Sequence, residues 1–100
     1  MRTDVIYYRL AEGITEEFLR SAAQSIYTEW MILQPGFVSW EICSLGEGTF
    51  VDFVRWENAE SAEGATKTMG QIDPAHDWFK CYDMASVKSE KADRVVFHGA

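Results

Sequence analysis

The chain has 100 residues, enough for one domain and too few for two that fold alone. It is 47% hydrophobic and 14% aromatic, more apolar material than a compact monomer hides, since a domain this small removes only about 60–70% of its unfolded surface from water. The formal charge of −7 argues against nucleic acid or an anionic membrane as partner, because phosphate surfaces require clustered Lys and Arg.

Val5 to Leu10 alternates Ile6, Tyr8 and Leu10 against Val5, Tyr7 and Arg9, a strand pattern rich in β-branched and aromatic types. Gly13 breaks it. Thr15 can then cap a first helix whose positive end meets Glu16 and Glu17, and Leu19, Ala22, Ala23, Ile26, Trp30 and Leu33 continue at steps of three and four. That helix is expected to stop near Gln34, because Pro35 disfavours helical geometry at the preceding residue. Pro35-Gly36 turns the chain into a second strand, Phe37 to Cys43, and Ser44 to Thr49 forms a hairpin loop into a third, Phe50 to Trp56.

The third strand is apolar on both sides, with Val51 and Phe53 on one face and Phe50, Val54 and Trp56 on the other. Asn58 caps a second helix with a thin stripe of Ala59, Ala62, Ala65 and Met69, which breaks around Gly70. Asp73 is read as the cap of a restart with Pro74 at its first helical position, carrying Ala75, Trp78, Phe79 and Tyr82. Met84 to Lys91 reads as a charged edge strand, and Arg94 to His98 as an apolar tail that docks on something. The local basic group Lys88, Lys91 and Arg94 alternates with Glu90 and Asp93, as a solvated face does.

The order β-α-β-β-α-β is the ferredoxin-like split-βαβ arrangement of the α+β class, with a four-stranded antiparallel sheet and two main helices on one face. Two helices leave the other face bare, so a second copy is expected to cover it, making a homodimer. Arg9, Glu41 and Asp52, set among apolar strand residues, are candidates for ion pairing inside that seam. The first residues show no apolar stretch of about 7–15 residues, so no signal peptide is read, and no run approaches the roughly 18 residues of a membrane span. Cys43 and Cys81 form no C-x-x-C pair and are expected as reduced, buried thiols in a cytoplasmic protein.

Three segments carry a family resemblance: Pro35-Gly36-Phe37-Val38-Ser39-Trp40-Glu41-Ile42, then Phe53-Val54-Arg55-Trp56-Glu57-Asn58, then Asp73-Pro74-Ala75-His76-Asp77-Trp78-Phe79. Together they resemble the dimeric α+β barrel proteins, specifically the antibiotic-biosynthesis-monooxygenase-like group, over roughly residues 4 to 92. The resemblance implies one domain over residues 1–100, with a tail from about 93, and a pocket between sheet and helices. Some members of that group oxidise polycyclic phenols with molecular oxygen and without metal or flavin, and others degrade haem. The haem degraders use an Asn on strand one, a Trp on the second helix and a downstream His. Here Tyr7 and Tyr8 stand on strand one, Ala65 or Thr66 stands where the Trp is expected, and only His76 could correspond.

A cofactor-free oxygenase needs a dry pocket, aromatic walls that align rings and a polar group that stabilises the substrate anion. Tyr8, Trp40, Trp56, Trp78 and Phe79 are the expected substrate-binding walls; the plainer reading of each alone is core, Trp56 above all, since it stands at a strand exit and can brace the second helix. His76 is the candidate proton acceptor, though its position suits a surface or loop-bonding role as well. Asp73, His76, Asp77 and Cys81 make a poor metal set because helix capping already accounts for Asp73, so no metal is expected, and the resemblance to the cofactor-free oxygenases implies no cofactor. No phosphate-binding glycine loop and no nucleophile elbow is present. The expected function is a cofactor-independent monooxygenase acting on a small aromatic or enolisable compound; the alternative is a non-catalytic dimeric module that binds a hydrophobic ligand or responds to stress.

Overall fold

Strands β1 (Arg2–Arg9), β2 (Phe37–Gly46), β3 (Thr49–Trp56) and β4 (Lys88–Asp93) form one antiparallel sheet in the order β2-β3-β1-β4. Helices α1 (Glu16–Glu29), α2 (Ala59–Thr68) and the short α3 (Asp77–Lys80) occupy the connections. The computed structural model describes residues 1–99. The split-βαβ order expected from the sequence is the observed one.

Register decides which side chains meet. Arg2, Asp4, Ile6 and Tyr8 of β1 stand beside Trp56, Val54, Asp52 and Phe50 of β3 on one face, and Val5 and Tyr7 stand beside Phe53 and Val51 on the other. The buried cluster joins the first face to the helices through Tyr8, Phe50, Val54 and Trp56 against Leu19, Ala22, Ile26, Ala62 and Trp78. The second face carries Val5 and Phe53 half-buried and Tyr7 exposed.

The caps explain where the helices begin. The Thr15 hydroxyl accepts from Phe18 N and Asn58 Oδ1 accepts from Ser61 N, each satisfying a donor with no partner inside its helix. At the C-terminus of α1 the chain tightens into a 3-10 turn, Met31–Leu33, earlier than the expected helical end near Gln34. The Gln34 amide donates to the Trp30 carbonyl and accepts from the Thr68 hydroxyl, which ties the ends of α1 and α2 together.

Three further expectations change. β1 begins at Arg2, three residues before the alternation becomes apolar, because Arg2 pairs with Trp56 and Asp93 across the sheet; Leu10 keeps only a bridge to Tyr82. Asp73-Pro74 does not open a helix: the Asp73 carboxylate takes Ala75 N in a local turn, and α3 starts at Asp77 with His76 as its cap. Met84 to Ser86 is a 3-10 turn capped by Asp83, so β4 starts at Lys88; all six of its residues are exposed, as an edge strand tolerates. Within the chain the tail is undocked, with Val95, Val96 and Phe97 exposed and the Arg94 guanidinium 4.5 Å from the Phe97 ring centre. Ala100 lies outside the described residues.

Gly36 sits at φ 79°, its carbonyl accepts from Glu57 N at 2.8 Å, and a Cβ there would stand 2.6 Å from Ser61 Cβ. Gly36→Ala is therefore expected to cost about 2–4 kcal/mol, roughly 1–2 from the left-handed backbone and the rest from displacing Ser61. Urea unfolding measures it; a loss below about 1 kcal/mol would mean that α2 shifts freely.

Candidate functional site

Between the helix-facing side of the sheet and α2 and α3 lies a cavity of about 250 Å³. Sequence creates it in two ways. Ala62 and Ala65 present only methyl groups from α2, so space that larger side chains would fill stays open. Opposite them, Trp30, Trp40, Trp56 and Trp78 supply wide rigid walls. Trp78 organises these, stacked on Trp30 at 6.4 Å and edge-on to Trp40 at 6.1 Å and Tyr82 at 5.8 Å.

One acidic side chain lines the cavity from β3. Asp52 is 2% exposed; its Oδ1 accepts from the Tyr8 hydroxyl at 2.8 Å and its Oδ2 from the Trp40 indole at 3.1 Å. Burial pushes the Asp52 carboxyl up to about 6, against the opposing pull of those two hydrogen bonds. The same dry surroundings, reinforced by the Asp52 charge, hold the Tyr8 and Tyr82 phenols well above their ordinary range. The Trp78 indole opposes the rise at Tyr82 without meeting the geometry of a hydrogen bond. The result is a carboxylic acid that changes charge near neutrality, flanked by two phenols that stay protonated.

A second feature is unsatisfied. Among the described residues the indole nitrogens of Trp30, Trp56 and Trp78 are buried without a hydrogen-bond partner, and all three rings line the cavity. Buried donors without acceptors are uncommon and call for an explanation.

No protein-family model and no curated protein matches this chain by sequence. Solved structures do match it in shape. A point variant of SnoaB, a cofactor-independent oxygenase from Streptomyces nogalater, superposes with a TM-score of 0.74 over 96% of this chain and 94% of its own, at 16% identity. A monooxygenase from the gene ActVA-Orf6 of Streptomyces coelicolor, in complex with Nanaomycin D, gives 0.70 over 99% of this chain and 92% of its own, at 19% identity. MhuD with two manganese protoporphyrin IX bound per active site gives 0.66 over the whole of both chains, at 14% identity. The chain has the antibiotic-biosynthesis-monooxygenase-like fold.

Within this monooxygenase-like fold the residues singled out from the sequence separate into three groups. Trp40, Trp56, Trp78 and Phe79 line the cavity. Tyr8 does not: it is buried behind the lining and reaches it through Asp52. His76 stands outside, which corrects its expected place at the pocket. Its Nδ1 accepts from Trp78 N at 3.0 Å, so the neutral ring carries its proton on Nε2, which meets Glu29 at 2.8 Å and Ser25 at 3.3 Å. Hydrogen bonds from Ser25 and His76 hold the Glu29 carboxyl below its usual range.

His76→Ala is accordingly expected to leave binding of an aromatic ligand in the cavity within about twofold while costing about 1 kcal/mol through loss of the α3 cap. Tryptophan-fluorescence titration and urea midpoints report the two separately, and a collapse of binding in a folded variant would restore His76 to the site. The other correction concerns Asp52, expected in a dimer seam and found on the helix side. Glu41 instead approaches Arg55, at 3.9 Å, and Arg9 is exposed. The sequence signal for Asp52 was present: it is the acidic member of the inward series Phe50, Asp52, Val54, Trp56.

Proposed function

We propose that the chain is a cofactor-independent monooxygenase acting on an enolisable aromatic compound, with Asp52 as the proton acceptor. The observation that carries this reading is a buried carboxyl group lining an aromatic cavity, held in orientation by two hydrogen-bond donors, with burial pushing it up to about 6. Asp52 takes a proton from an activated ring methylene, and the resulting carbanion is delocalised into the substrate's own ring system. Its electrons form a C–O bond with molecular oxygen, and the proton returns from Asp52 to the peroxide. Loss of water, with the second methylene hydrogen, leaves a carbonyl, so that a methylene and one oxygen molecule become a carbonyl and water. The Trp30, Trp56 and Trp78 indoles suit this chemistry because a substrate with ring oxygens gives their unpartnered N–H groups acceptors that strengthen as negative charge develops.

The working unit in this reading is a homodimer. Val5, Tyr7 and Phe53 lie on the sheet face opposite the helices, and a second copy of that face would withdraw them from water. Sedimentation of dilute protein tests the assembly. Incubation with anthrone-type compounds while oxygen uptake is followed tests the activity: uptake with release of the corresponding quinone is expected, and tight binding without uptake would make the chain a ligand-binding module instead.

A further inference from the structure

The cavity continues toward the N-terminal end of β1 into a second, polar hollow, with Asp4, Ile6, Thr66 and Met69 lining both. Arg2, 7% exposed, lines this hollow. Its Nε donates to Asp4 Oδ1 at 2.7 Å, and neither terminal nitrogen of the guanidinium finds a protein acceptor among the described residues. Asp93, its neighbour across β4, makes no ion pair with it. The remaining charges of the hollow are Lys67 and Lys91 against Glu63 and Glu90; Glu90 belongs to the opposite sheet face by register, beside Val5, whereas Lys91 faces inward beside Asp4.

Arg2 is held in place by burial of its stem and by Asp4 while its terminal nitrogens stay open to the hollow, and their planar pair of donors matches a carboxylate oxygen for oxygen. Asp4 occupies the Nε edge, leaving the terminal nitrogens for a ligand. We propose that Arg2 is a specificity-determining residue that binds the carboxylate of an aromatic acid, whose ring system lies in the adjoining apolar cavity.

Geometry sets the size of that acid. Ile6 stands directly beside Asp52, and Arg2 is four residues further along the same strand face, about 13 Å away at ~3.3 Å per residue. A carboxylate at Arg2 and a reacting carbon near Asp52 are therefore bridged by a fused polycyclic body with the acid at one end of its long axis. A single ring does not span the gap. This inference rests on the proposed function for the location of the ring system, but not for the charge preference.

The test is a titration of tryptophan fluorescence with anthraquinone-2-carboxylate and with its uncharged methyl ester. The intact protein is expected to bind the acid about tenfold or more tightly than the ester, the size of one charge-assisted contact. Arg2→Gln alone strands Asp4, so it is paired with Asp4→Asn, with Arg2→Lys as a second variant that keeps the charge but loses the fork. The double variant is expected to bind the ester as before and the acid no better than the ester, while Arg2→Lys recovers only part of the preference. Equal affinity for acid and ester in the intact protein overturns the carboxylate site and leaves the aromatic cavity standing. A preference that survives in the folded double variant overturns it too. Failure of both ligands to bind removes the cavity reading and this inference together.

Discussion

Asp52→Asn is expected to lower oxygen uptake by roughly 100-fold or more, because a positioned acid–base group contributes about 10²–10⁴-fold. The substitution keeps the shape of the side chain and removes its ability to accept a proton. In the intact protein the carboxyl is pushed up to about 6 by burial, so turnover should rise with pH as the carboxylate forms. Stability moves the opposite way. Between the ordinary value of 3.8 and about 6 the folded chain retains a proton that the unfolded chain has released. The stabilisation is thus complete below the lower value and is lost as pH climbs through the upper one, by on the order of 2–3 kcal/mol. Asparagine abolishes this group's share of both slopes. It also offers one acceptor oxygen where Tyr8 and Trp40 present two donors, which costs about 1–2 kcal/mol where the carboxylate had served both. Oxygen uptake and urea midpoints measured on either side of about pH 6 check all three effects. A folded variant with undiminished uptake would remove Asp52 from the reaction.

Local signals found the fold because most of them are answered locally. The alternation around Phe50 to Trp56 fixes which side chains share a face whatever the partner strand, and Asn58 caps α2 with a donor three residues away. Asp73 misled for a related reason: the same carboxylate chemistry serves a helix cap or a two-residue turn, and here it takes Ala75 N. Asp83 did likewise, drawing Met84 to Ser86 out of the strand that the alternation of Ala85 and Val87 suggested.

The site was harder to read because its geometry is made by contacts distant in sequence. Asp52 is recognisable as a misfit in an apolar strand, but its meaning depends on Tyr8, 44 residues before it, and Trp40, 12 before it. His76 looked available because its Glu29 partner lies 47 residues earlier, on another helix. Trp30 continued the apolar stripe of the first helix and gave no sign that its indole nitrogen would be left without a partner. Aromatic identity is visible in a sequence; which ring leaves an empty volume beside it depends on how the alanines of α2 pack, and they are small enough to sit anywhere.

Trp78→Ala is expected to be the most destabilising change in the cavity wall, at about 3–5 kcal/mol, since truncating a buried aromatic loses its transfer free energy and leaves a void that collapses only partly. The indole N–H has no partner among the described residues, so nothing is lost in hydrogen bonding and the whole effect is packing. Four rings surround Trp78: Trp30, Trp40, Phe79 and Tyr82, with centres 5.3 to 6.4 Å away. Each such pair adds about 0.5–1.5 kcal/mol beyond burial, which places the cost at the upper end of that range. Helix α3 makes the loss harder to absorb. It spans only Asp77–Lys80, too short to persist by its own hydrogen bonds, and Trp78 is its buried residue. A domain of this length holds about 5–15 kcal/mol in total, so the variant should unfold at a much lower urea concentration. Trp78→Phe keeps a ring in the wall and should cost about half as much. Phe79→Ala, at a neighbouring half-buried position, should cost less than Trp78→Ala. If the two alanine variants unfold together, the load is shared along α3, and the central place given to Trp78 is wrong.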